Sequence, residues 1–144
     1  MLHIKNGTVH TVCNGVLEKC DILIKGHKID RIEHNINTSI NQDVRVIDAS
    51  GLNVFPGFIE AHCHVGISEE KTGTAGDDCN ESTNPVTPFV RAIDAINPMD
   101  SAFHNALAVG ITTVMTGPGS ANAVGGQFAC IKTYGRKIDD MIVK

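Results

Sequence analysis

The segment Pro56-Gly57-Phe58-Ile59-Glu60-Ala61-His62-Cys63-His64 constrains this chain more than any other. A Pro-Gly break opens it, a short apolar run follows, and two histidines close it. That pattern is a strand that leaves a turn and ends at an exposed edge. Side chains on a strand alternate faces, so His62 and His64 are expected on one face and Cys63 on the other. Two imidazoles on one face make half of a transition-metal site. A metal there would acidify water, and the chemistry to expect is hydrolysis.

The residues on either side of Pro56 differ in character. Up to about residue 55, short apolar strands alternate with tight turns. Asn6-Gly7, Asn14-Gly15 and Gly26 offer the positive φ that hairpins need. Strands are expected at Thr8–Val12, Asp21–Lys25, Lys28–Ile32 and Val44–Asp48, with a polar loop over Asn35 to Asp43. This reads as a small antiparallel sheet, half of a sandwich. Beyond Pro56, residues 66 to 97 are rich in Gly, Thr, Asn, Asp and Pro. A loop that long in a compact domain usually serves a site. A helix is expected next, with Asn97 as N-cap, Pro98 at its first position and Gly110 as its terminator. Ile111–Thr116 reads as a strand. Strand, helix and strand form a βαβ unit, which builds a parallel sheet. Gln127 to Thr133 has strand-like content, and a further strand is expected at Asp139 to Val143.

Composition narrows the function. Of the 144 residues 42% are apolar and 19% charged, as in a globular chain. A net charge of −4 and the absence of Trp argue against a nucleic-acid surface. Five cysteines, widely spread and with no Cys-x-x-Cys pair, point away from a disulfide framework and towards the reducing cytoplasm. No signal-peptide pattern and no run of membrane-spanning length occurs, so no membrane partner is expected.

The residues resemble the amidohydrolase superfamily. The matching pieces are Val46-Ile47-Asp48-Ala49-Ser50-Gly51-Leu52, the run from Val54-Phe55-Pro56-Gly57 to His64, and Ala108-Val109-Gly110-Ile111-Thr112-Thr113-Val114. Thr116-Gly117-Pro118-Gly119-Ser120 and Gly125-Gly126-Gln127 are similar to the imidazolonepropionase-like branch. The resemblance implies an α/β fold: the N-terminal part of a TIM-like (β/α) barrel preceded by part of a small β-sandwich. Its domains would be 1–55, the sandwich portion, and 56–144, the first strands and helices of an incomplete barrel. It implies a divalent metal held by His62 and His64, with zinc expected and iron, manganese or nickel as alternatives. It also implies hydrolysis of a carbon–nitrogen bond, other than a peptide bond, in a small amide or cyclic amide. One departure is Glu60, where the family more often has Asp.

A full barrel takes roughly 250 residues, so an N-terminal fragment is expected, inactive alone and prone to form homo-oligomers through its open edges. The family's later ligands and proton shuttle have no counterpart here, and no catalytic residue is assigned. Rival readings are a deaminase of the same superfamily and a non-catalytic remnant or binding module.

Other residues carry smaller expectations. Glu60 is expected in a structural bond near the barrel floor, with orientation of an imidazole as the alternative. Asp77, Asp78 and Cys79 are read as a solvated loop. His3, His10, His27, His34 and His104 are read as structural. Ser120 and Asn122, in the turn after the second barrel strand, are the candidate contacts to a small-molecule substrate. Cys63 is expected to pack as a small apolar side chain.

Overall fold

Five strands build the first part of the chain: β1 (Leu2–His10), β2 (Val16–Lys25), β3 (Lys28–Glu33), β4 (Arg45–Asp48) and β5 (Asn53–Val54). The computed structural model describes residues 1–38 and 43–143. It divides into two compact units, Met1–Pro56 and Gly57–Lys144.

In the first unit the sheet order is β3-β2-β1-β4, with β5 pairing β1 farther along. The two hairpins are antiparallel, turning at Gly15 (φ 74°) and Gly26 (φ 59°) as the sequence suggests. β4 and β5, however, lie parallel to β1. The sheet is therefore mixed rather than antiparallel. Its cause is a crossover: the chain leaves β3 on one edge and re-enters beyond β1 running the same way. Residues 39–42 of the expected polar loop lie outside the described residues.

Asn6-Gly7 is not a hairpin turn. It sits inside β1, where the pairing with β2 slips between Ile4 and Gly7 and again between Gly7 and Val9. Asn6 takes φ 61° there, and its amide donates to Asp21 Oδ1 at 2.9 Å. A buried carboxylate thus replaces the ladder bond that the irregularity removes. Val9, Cys20 and Ile22 form the core of this unit, with Ile4, Leu17, Ile24, Ile32 and Val54 against them.

The second unit holds β6 (Phe58–Cys63), a 3-10 turn (Gly73–Gly76), α1 (Ala92–Ala95), α2 (Ser101–Ala108), β7 (Ile111–Thr116), β8 (Ala129–Lys132) and α3 (Ile138–Met141). Its sheet runs β6-β7-β8. β6 and β7 are parallel, joined through the helices as a βαβ unit. β8 is antiparallel to β7. The described residues form a mixed α/β arrangement and no closed barrel.

Two boundaries differ from expectation. The helix begins at Ser101, not Pro98. Asn97 Oδ1 accepts from the Met99 amide and closes a turn, while Asp100 accepts from the Ala102 amide at 3.1 Å and is the true N-cap. Gly110 follows the helix at φ 89°, in the terminating role expected. Of the strand expected at Asp139 to Val143, Asp139–Met141 belong to a helical turn, while Ile142 bridges antiparallel to Ile131 and the Val143 amide donates to Cys130 O at 2.9 Å. Ile138, Met141 and Ile142 recur at helical spacing and pack into the core, with Met141 fully buried. That core also contains Ile67, Cys79, Ala92, Ile96, Phe103, Val114 and Ile131. Among the described residues no helix is long and apolar enough to cross a membrane.

Candidate metal centre

β6 enters the sheet under tight constraint. Any side chain at Gly57 would collide with Thr112 on β7. Its pairing with β7 slips between Phe58 and Ile59, runs in register through Ile59↔Thr113 and Glu60↔Val114, slips again, and resumes at Cys63↔Thr116. The second slip lies beside His62, so the strand end is bent where the first imidazole leaves it.

The loop after β7 fastens this end. The Gly117 amide donates to Cys63 O at 3.2 Å, and Thr116 Oγ1 donates to Val65 O at 2.9 Å. His64 Nδ1 donates to Gly117 O at 2.7 Å. A carbonyl can only accept, so Nδ1 carries a proton, and in the neutral ring the Nε2 lone pair is then left free. A neutral imidazole fixed this way is prepared to ligate a cation.

His62 stands beside it. The two rings have centroids 5.4 Å apart, edge to face at 83°. The ring nitrogens of His62 have no hydrogen-bond partner among the described residues. Its ring packs instead on Phe128, centroid to centroid 5.3 Å. Both imidazoles thus gather at one strand end, one of them with its tautomer set. Two nitrogen donors fit half of a tetrahedral zinc-type site. Among the described residues no group of three or more His, Cys, Asp or Glu side chains could hold an ion.

The other sequence candidates fall around this end. Glu60 Oε1 accepts from the His62 backbone amide at 3.1 Å. It braces the strand, and among the described residues it makes no hydrogen bond or ion pair to an imidazole; it is exposed rather than buried. Cys63 packs at the edge of the core, its thiol donating to Met115 O at 3.6 Å. Asp77 accepts from Ser68 Oγ, and Cys79 is buried in the core.

The long loop and the loop after β7 are zipped together. Val86 bridges Val124, and Arg91 bridges Gln127. The Gly119 amide donates to Cys79 O at 2.8 Å. Asn122 Nδ2 donates to Glu81 O at 2.8 Å and Asn84 O at 3.0 Å, so its amide holds the loops together. Ser120 is exposed. The Thr83 hydroxyl, followed by the Thr83 amide, holds the Glu81 carboxyl below the usual range. Gly117 and Phe128 are the residues that sequence reasoning missed. Gly117 was legible only as a turn glycine; nothing in the pattern around Phe128 tied it to β6.

No protein-family model matches the chain. It is 31% identical over 113 residues to "Amidohydrolase tasK" of Hapsidospora irregularis, across 78% of this chain and 12% of that protein. It is 42% identical over 64 residues to a dihydroorotase of Streptococcus thermophilus, across 44% of this chain and 14% of that protein. Among solved structures, an amidohydrolase from Thermotoga maritima MSB8 matches with TM-score 0.88 and 41% identity, over 100% of this chain and 37% of that one.

These likenesses support the amidohydrolase superfamily. The chain spans about an eighth of the length of the curated relatives just described. Its likeness to the Thermotoga amidohydrolase runs through both units, and so through the His62–His64 strand end.

Proposed function

We propose that His62 and His64 are two ligands of a divalent metal, zinc first and iron, manganese or nickel next, in an amidohydrolase. The activity proposed for the whole protein is hydrolysis of a carbon–nitrogen bond, other than a peptide bond, in a small amide. The observation that carries this is the Gly117 carbonyl fixing the His64 tautomer while His62 stands beside it. The dihydroorotases among the relatives favour a cyclic amide as substrate. The Gly117-Pro118-Gly119-Ser120 and Gly125-Gly126-Gln127 segments favour an imidazolonepropionase-like branch.

When bound, such a cation supplies Lewis acidity and brings a water within reach of deprotonation near neutral pH. The chain's own residues supply two nitrogen donors, a fixed tautomer and a braced strand end. Ser120 remains our candidate substrate contact, with Asn122 positioning the turn that presents it. For these 144 residues by themselves we propose no turnover, since two imidazoles leave a tetrahedral site half made. The unpaired cysteines fit a cytoplasmic setting.

The test is a zinc titration of the chain and of the single variants His62→Ala and His64→Ala. Each substitution is expected to weaken zinc binding by more than about ten-fold. Equal zinc uptake by all three proteins would refute the reading.

A further inference from the structure

The two imidazoles are held by different means. His64 has the Gly117 carbonyl, a directional bond that settles its ring. His62 has no such bond among the described residues. Its neighbours are the His64 ring and Phe128, and a free imidazole keeps two torsions to restrict.

Phe128 is well placed to restrict them. Its backbone is pinned from both sides. The Gln127 amide donates to Val90 O at 2.8 Å and Gln127 O accepts from the Ala92 amide at 2.9 Å. Ala129, on the other side, pairs with Thr116 at the end of β7. The ring lies over Gly117, where any Cβ would collide with it. From that seat it reaches His62 at 5.3 Å with planes 34° apart, and His64 at 6.4 Å. The glycine that orients His64 through its carbonyl therefore also admits the ring that abuts His62.

We propose that Phe128 is a positioning residue that holds the His62 imidazole in its ligating orientation, with Gly117 as the shared seat for both histidines. The role rests on the metal reading above for its purpose, though not for its geometry. Phe128 acts through His62 and not on substrate. The absence of a side chain at Gly117 then has a reason beyond the turn. The antiparallel β8 has one as well: it delivers Phe128 back to the strand end where the histidines emerge.

The experiment is histidine-labelled NMR on the 144-residue chain, reading side-chain rotamer populations from scalar couplings. It compares the parent with Phe128→Leu, which keeps apolar bulk, and Phe128→Tyr, which keeps the ring. In the parent, His62 is expected in one rotamer. In Phe128→Leu, His62 should average over rotamers while His64 keeps its Gly117 bond. Phe128→Tyr should restore the single rotamer. A single His62 rotamer in Phe128→Leu, averaging in the parent, or failure of Phe128→Tyr to restore it would each overturn the proposal. Zinc titration of the same samples should show about a ten-fold weaker affinity for Phe128→Leu. If the parent holds His62 in one rotamer but takes up no zinc, the metal reading fails while the positioning role stands.

Discussion

Asp21 shows how much one side chain can organise. It is 1% exposed and receives the Asn6 amide, the Ile36 amide and His3 Nε2, the last at 3.0 Å. Burial alone would raise its carboxyl. The Asn6 amide, the His3 ring and the Ile36 amide together outweigh burial and hold it below the ordinary range. A carboxyl depressed in the folded state stabilises fully above its unfolded value of about 3.9, and loses that stabilisation as pH falls through the lower folded value. Asp21→Asn should therefore cost about 3 kcal/mol near neutrality, read from urea unfolding. The part of that gap owed to the carboxylate should close as pH falls below about 4. A gap that persists unchanged into acid would show that the charge is not its source. At the other unit, Gly117→Ala should cost about 1–3 kcal/mol, because the added methyl meets the Phe128 ring. The same variant should speed exchange of the His64 Nδ1 proton; unchanged unfolding and exchange would contradict this packing.

At the level of elements, local signals were read well where one residue had one use. Gly15, Gly26 and Gly110 terminate or turn as their conformational freedom suggests. The start of α2 is different. The sequence pattern points to Asn97 as its N-cap, and only the backbone decides that Asn97 closes a turn and Asp100 caps the helix. The Asp100 cap is testable. Asp100→Ala should lower stability by about 1 kcal/mol. Asp100→Ser should do no worse than the parent, since it keeps a capping oxygen and removes Oδ2, which is buried without a partner among the described residues. Thermal unfolding of the two variants separates the outcomes; equal losses would deny Asp100 its capping role. Asn6-Gly7 and the Asp139–Met141 part of the expected last strand depart from the sequence pattern for a related reason. A strand irregularity and a helical turn are each settled by a partner distant in sequence: Asp21 in the first case, the core around Ile131 in the second.

For the whole molecule, β6 is an edge of its sheet, with Ile59 69% exposed beside Phe58 at 50%. An apolar edge strand invites pairing with another chain, and we expect the isolated chain to self-associate. Sedimentation velocity should show mass rising with concentration, and Ile59→Lys should suppress the rise. Association unchanged by Ile59→Lys would place the contact elsewhere. The sequence alone determined the strand that carries His62 and His64, the βαβ connection behind it and the likeness to amidohydrolases. Those follow from alternation, turn residues and spacing, all of which act over a few neighbours. The tertiary structure decided the parallel placement of β4, the reversal of β8, the tautomer of His64 and the seat of Phe128. Each of these depends on which distant backbone group arrives opposite a given residue. Local patterning limits that choice, but only the packed chain makes it.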